Sequence, residues 1–229
     1  MTVKKQKMIN ISLVTLSILA SLKMLFFALG LDEEYQVVIA YRNAMGDRLF
    51  WDMWEPHQTS AFLCTLLMKP YLSLFGTTGI VLYLRACGTL LHLCVSLYLC
   101  KVMKTLMGKE YAWLLALIYF NTIPKQIILP EFSIIQVWSY TLLCLFLLQY
   151  YNGEGKIKYL ISAALSLALN VLVYPSCLIL FPFVLALVAY LSGKRRWRDM
   201  GIPDSRLRRL RCRLSGNTLL LYYAPTAAY

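Results

Sequence analysis

Three long stretches of this chain carry no charged side chain at all: residues 9–22, 132–151 and 159–193. About 20 consecutive apolar residues make a helix long enough to cross the hydrocarbon of a bilayer. Inside a bilayer each backbone N–H and C=O must be satisfied within its own segment, which leaves helices as the form for such runs. The expectation is an all-α, polytopic transmembrane protein.

Composition removes the competing classes. Hydrophobic residues make up 59% of the 229, and the mean hydropathy is +0.61. A soluble domain lies near ~45–50% apolar, so an all-buried helical core in water does not suit this chain. The net charge of +12 would suggest nucleic acid in a soluble protein. Here the basic residues fall at the start, between apolar segments and in one block near the end, a pattern that topology explains. No nucleic-acid partner is expected. The seven cysteines lie mostly inside apolar segments and form no CxxC pair, so they read as small buried hydrophobes.

Charge placement sets an expected topology. Lys4, Lys5 and Lys7 precede the first span, 9–30, which is too long for an ordinary signal sequence and is read as retained. Residues 31–57 then hold six acids, Asp32, Glu33, Glu34, Asp47, Asp52 and Glu55, against Arg42 and Arg48, and read as an acidic external loop. Residues 59–75 are apolar but interrupted by Lys69-Pro70. If they crossed, the basic loop with Lys101, Lys104 and Lys109 would lie outside, so an interfacial helix is favoured. Further spans are expected at 80–100, 111–123, 132–151, 159–173 and 176–191. The last two follow because 33 helical residues measure about 50 Å against a hydrocarbon layer of ~30 Å, and Asn170 and Tyr174-Pro175 offer a break. This makes six spans, with both termini inside. Residues 1–193 form the membrane module. Residues 194–229 form a basic cytoplasmic tail that meets anionic lipid headgroups.

Candidate chemistry concentrates in the external acidic segment. Asp32 and Glu33 stand at the outer end of the first span, where a carboxylate can act as a general base toward a hydroxyl or bind a metal. The alternative is a hydrated loop end. Glu55 and His57 offer oxygen and nitrogen to a divalent cation, although two donors are not a site. Arg42, Arg48 and Lys69 lie around them and can hold a phosphate. Lys125 and Glu131 occupy the next external segment, where Pro124 and Pro130 oppose continuous helix. Arg85, near the outer part of the second span, is expected to pair or snorkel. His92 in the same span reads as a packing residue.

The order of these residues resembles a known family. The stretch Leu31-Asp-Glu-Glu-Tyr-Gln-Val-Val-Ile-Ala-Tyr-Arg-Asn-Ala-Met-Gly-Asp47 is followed by Trp54-Glu-Pro-His-Gln-Thr-Ser60 and by Leu82-Tyr-Leu-Arg85. Over residues 9–191 this is similar to the N-terminal part of the GT-C glycosyltransferases, in particular the bacterial aminoarabinose transferases and protein O-mannosyltransferase-like proteins. The resemblance implies transfer of a sugar from a polyprenyl-phosphate carrier to a lipid, glycan or protein acceptor on the non-cytoplasmic face of the inner membrane. It implies that Asp32, with Glu33 beside it, is the catalytic base or orients the acceptor. Arg42, Arg48, His57, Lys69, Arg85 and Glu131 become candidate substrate-binding residues. Glu55 stands near the position of a ligand to a divalent metal, with Pro56-His57 where the family has Lys-Pro-Pro. Tyr174-Pro175 stands where the family carries Lys-Gly, so no phosphate-binding lysine is assigned there.

Full enzymes of that family are much longer, and the chain is therefore expected to be a truncated form, with activity by itself in question. Two other classes stay open: a non-catalytic membrane partner subunit, and a lipid or solute transporter module.

Overall fold

The computed structural model describes residues 3–26, 30–55, 57–152 and 156–199, the side chains of 3–7, 126 and 191–199 excepted. The described residues are mostly helical, with eight α-helices: α1 Val3–Leu25, α2 Leu31–Met45, α3 Phe62–Phe75, α4 Ile80–Met107, α5 Lys109–Asn121, α6 Phe132–Asn152, α7 Ile157–Val173 and α8 Leu180–Asp199. Short 3-10 turns sit at Gln58–Ala61, Pro124–Gln126 and Pro175–Ile179. The structure divides into two compact units, Met1–Ile179 and Leu180–Tyr229. The second is described only by α8, whose apolar N-terminal part runs into the basic stretch after Gly193. The remainder of the expected cytoplasmic tail, 200–229, lies outside the described residues.

Among the described residues three helices are long and apolar enough to cross a membrane: Met8–Leu25 of α1, all of α4 and all of α6. Ile157–Val173 and Pro175–Tyr190 are apolar but shorter. α5 has 13 residues, about 20 Å of helix. α1 satisfies three of its hydroxyls along its own axis: Thr15 donates to the Ile11 carbonyl, Ser17 to Leu13 and Ser21 to Ser17. Such bonds let Ser and Thr sit in an apolar helix without orphaned donors.

The structure corrects several expected boundaries. The first span stops at Leu25 rather than 30. The segment 31–57 is not a plain loop, because its first half is α2. Asp32, Glu33 and Glu34 occupy that helix's first turn, where negative charge complements the helix dipole. Gly46 ends it in the left-handed conformation (φ 116°), with its N–H on the Arg42 and Asn43 carbonyls. The second span runs on to Met107, since residues 101–107 contain no helix breaker until Gly108. The expected basic loop is therefore the last two turns of α4 joined through Gly108 to the first turn of α5. The long apolar run 159–191 is interrupted at Tyr174-Pro175, with Tyr174 extended and a 3-10 turn behind it.

Within the first unit, α4 packs most extensively on α5, and α6 on α7. Ala112 and Ala116 are fully buried or nearly so, and Ser96 donates to the Ala116 carbonyl, so small residues let α4 and α5 approach closely. His92 binds the pairs together. Trp138 Nε1 of α6 donates to its Nδ1 at 2.8 Å, and its Nε2 meets the Tyr119 carbonyl of α5 at 3.2 Å. Both ring nitrogens are used, consistent with a packing role. Asn121 ties α5 to α1 through Ser17 at 2.8 Å. A second core gathers Ile39, Ala40, Met53, Ala61, Cys64, Met68, Leu84 and Leu129. It fixes α2, α3 and the segment 127–131 on the first turns of α4.

Candidate functional site

The ends of several helices converge where α2 begins. Glu33 is 2% exposed, and Arg85, in the second turn of α4, grips both its oxygens: Nε to Oε1 and Nη2 to Oε2, each at 2.6 Å. Arg85 Nη1 also donates to the Leu25 carbonyl at the last turn of α1 (2.8 Å). A two-pronged guanidinium–carboxylate contact is the geometry that fixes orientation as well as charge. One side chain thereby locks together the end of α1, the start of α2 and the start of α4.

Asp32 is the next residue but points elsewhere. It is about half exposed, and Lys125 Nζ lies 2.6 Å from Oδ2. Lys125 belongs to the Pro124–Gln126 turn and holds a left-handed backbone (φ 54°, ψ 12°), unusual for a side-chain-bearing residue. Its ammonium also sits 4.5 Å from the centre of the Phe132 ring. The imidazole of His57 stacks on Phe132 (5.0 Å between ring centres) and on Tyr174 (4.4 Å). His57 too is left-handed (φ 59°), and its Nδ1 is buried without a hydrogen-bond partner. Left-handed residues other than glycine cost energy and persist where their surroundings over-determine them. Here two of them flank one aromatic ring.

Glu131 closes the group from the α6 side. It is fully buried; Oε1 accepts from Ser133 Oγ and from the Ile134 N–H, while Oε2 has no partner. Burial raises its pKa above the ordinary carboxylate value; the Ser133 and Ile134 bonds and the nearby Lys125 charge oppose the shift only in part. The segment carrying Lys125 and Glu131 is seated on α4 at Gly88. A Cβ there would stand 1.8 Å from the Ile128 carbonyl oxygen, so only glycine permits this approach.

The remaining candidates are placed apart from this cluster or on its edge. Arg42 pairs with Asp47 (2.7 Å) and donates to the Asp52 carbonyl (2.9 Å). Arg48 pairs with Asp52, whose carboxyl is held below the usual range chiefly by the Arg48 backbone N–H and then by its guanidinium. Lys69 is exposed on α3, and Glu55 is exposed beside the His57 turn. Among the described residues no three of His, Cys, Asp and Glu gather as a metal site. Glu55 and His57 supply two donors, and no step is assigned to a metal ion.

Several contributors were not legible as site residues. Phe132 and Tyr174 form the aromatic walls, and Gln36 accepts a bond from Ser60 in the buried floor at 3.0 Å. Cys64 donates to the Pro130 carbonyl at 3.0 Å, and burial pushes its thiol pKa up. Only the Tyr174-Pro175 step carried a sequence signal, and that signal was a helix break. Compared with protein-family models, with curated proteins and with solved structures, the chain matches none.

Proposed function

We propose that the chain is a membrane glycosyltransferase module of the GT-C kind. It would move a sugar from a polyprenyl-phosphate carrier to a hydroxyl of a lipid, glycan or protein acceptor on the outer face of the inner membrane. The observation that carries this reading is the half-exposed Asp32–Lys125 pair, set beside the buried Glu33–Arg85 lock. It puts a base and a cation for phosphate within one contact of each other where helix ends meet.

In the proposed reaction the Asp32 carboxylate takes the proton of the acceptor hydroxyl. The acceptor oxygen then bonds to the anomeric carbon, the bond from that carbon to the phosphate oxygen breaks, and the polyprenyl phosphate leaves with the electron pair. Lys125 offsets the charge on the departing phosphate. In the structure Lys125 neutralises Asp32, and an exposed pair of this kind is worth only ~0–1 kcal/mol, so an incoming phosphate can draw it away. Glu33 and Arg85 position Asp32 rather than react.

The same reading has six crossings, by α1, α4, α5, α6, α7 and the segment from Pro175, with α2 and α3 on the outer side. The support is charge: Lys101, Lys104 and Lys109, then Lys156 and Lys158, then Lys194 to Arg198 fall at one alternate set of connections, as cytoplasmic loops do. The test is to supply the purified full chain with a radiolabelled polyprenyl-phosphate sugar and acceptor lipids. Sugar transfer or release of free polyprenyl phosphate supports the assignment. Neither product, from a chain shown to be folded, overturns it for this chain and leaves the partner-subunit reading.

A further inference from the structure

The loop between α2 and the Gln58–Ala61 turn holds an aromatic triad outward. Phe50 is 54% exposed, Trp51 74% and Trp54 82%. The loop is nevertheless rigidly built. Phe50 is left-handed (φ 63°), and its N–H is held by the buried Gln58 Oε1 at 2.9 Å. Met53, between the two tryptophans, is 2% exposed and anchors the loop in the core. Arg42 Nη2 holds the Asp52 carbonyl, and the Asp52 carboxylate caps the Arg48 N–H at 2.8 Å. Strain at a bulky exposed residue, in a loop held at several points, points to a use for that ring.

Position and charge say what the rings meet. The loop leads directly into a group of helix ends. His57 stacks on Tyr174 just past α7, Thr59 donates to the Leu172 carbonyl, and the Asp32–Lys125 and Glu33–Arg85 pairs tie in the ends of α1, α4 and the segment before α6. The helices long enough to cross a bilayer thus have their ends at this level, which is where a membrane boundary lies. The loop's two aspartates are neutralised, Asp47 by Arg42 of α2 and Asp52 by Arg48. Arg48 in turn lies 5.2 Å from the Trp51 ring centre. What the loop presents is therefore chiefly aromatic, with one guanidinium at headgroup height, both aspartates compensated and the Glu55 carboxylate exposed at its end. Trp beside Arg is the composition of the water–lipid interface, where a ring sits among headgroups and glycerol. Further along the chain, Phe62 and Leu66, one turn apart on α3, are exposed by 58% and 57% and extend the apolar character.

We propose that residues 49–54 form an interfacial wedge. Phe50, Trp51 and Trp54 insert into the headgroup–acyl boundary of the leaflet at this end of the bundle, and they hold the Asp32–Lys125 pair at a set height above the lipid. The wedge requires the membrane-spanning fold but not glycosyl transfer.

The test uses the full chain in phosphatidylcholine vesicles, comparing wild type with Trp51→Phe/Trp54→Phe, which keeps the core anchor and the pinning bonds. The difference in emission isolates these two of the five tryptophans. The expected result is quenching about twofold or more stronger by lipid brominated near the carbonyls than by lipid brominated at the chain ends, with little quenching by aqueous iodide. Emission quenched by iodide and untouched by bromolipid would overturn the proposal in favour of a solvent-facing loop. Emission reached by neither quencher would overturn it in favour of a second copy or another protein covering the rings. Loss of sugar transfer with normal bromolipid quenching would leave the wedge standing.

Discussion

Arg85 and Glu33 form a buried two-pronged ion pair, both contacts at 2.6 Å, with side chains 7% and 2% exposed. Fifty-two residues apart in sequence, they fasten the amphipathic α2 to the first membrane-spanning turns of α4. The neighbouring pair, Asp32 with Lys125, has equally short contact but lies open to solvent. The contrast divides the acidic start of α2 into a buried, locked half and an exposed half, and the proposed chemistry rests on the exposed one.

Breaking the buried pair from one side leaves an uncompensated charge. Glu33→Gln and Arg85→Met are each expected to lower stability by about 3–5 kcal/mol, while Glu33→Leu/Arg85→Met together lose less than the two single changes combined. Thermal unfolding in detergent measures this. A loss of under about 1 kcal/mol for both single variants would show that the pair is not a lock.

Glu131 should make stability depend on pH with a definite sign. Its folded pKa is raised, so the unfolded chain ionises first as pH rises. Stability is thus lost from the ordinary carboxylate value, near ~4.3, up to the raised folded value, and is level beyond it. Glu131→Gln keeps an oxygen for Ser133 and Ile134 but cannot ionise. Its unfolding should show a flatter pH profile across that window and equal or greater stability above it. An unchanged slope would place the titration on another group.

His57 tests backbone strain separately from stacking. His57→Ala removes two ring contacts and is expected to cost about 1–3 kcal/mol. His57→Gly removes the same contacts but relieves the left-handed backbone, and should be more stable than the Ala variant by about 1 kcal/mol. Equal stability of the two would mean that the turn relaxes on losing the ring.

Gly88 gives a packing test away from the Asp32–Lys125 pair. Gly88→Ala puts a methyl into the Ile128 carbonyl and must displace the segment 127–131 or bend α4. A cost of about 1–3 kcal/mol or more is expected, together with weakened transfer, because Glu131 rides on that segment and the Lys125 turn directly precedes it. Wild-type stability and activity would contradict the close approach.

Much of this was legible in the sequence because hydrophobic length and charge are local properties. The uncharged runs mark α1, α6 and the stretch of α7 and α8, and Pro124, Pro130 and Tyr174-Pro175 mark where helix stops. The membrane cost of a lone charge also marked Arg85 as needing a partner. Its choice of Glu33 over Asp32 was not legible: adjacent residues on a helix point about 100° apart, and the face that α4 meets is set by tertiary packing. The ring stack of His57, Phe132 and Tyr174 was hidden for the same reason, since it joins three segments far apart in the chain. The helix in the acidic segment is hidden in the sequence because dense charge also suits a loop, whereas acids in a first turn favour helix.

Sugar transfer by Asp32 variants tests the central claim most directly. With wild-type chain, a polyprenyl-phosphate sugar and acceptor lipid, Asp32→Asn should lower the transfer rate by about 10²-fold or more, the loss typical of removing a general base. Glu34→Gln, which alters an exposed carboxylate of the same helical turn, should leave it near wild type. Retention of full activity by Asp32→Asn, or equal losses in both variants, would contradict the assignment of Asp32 as the base.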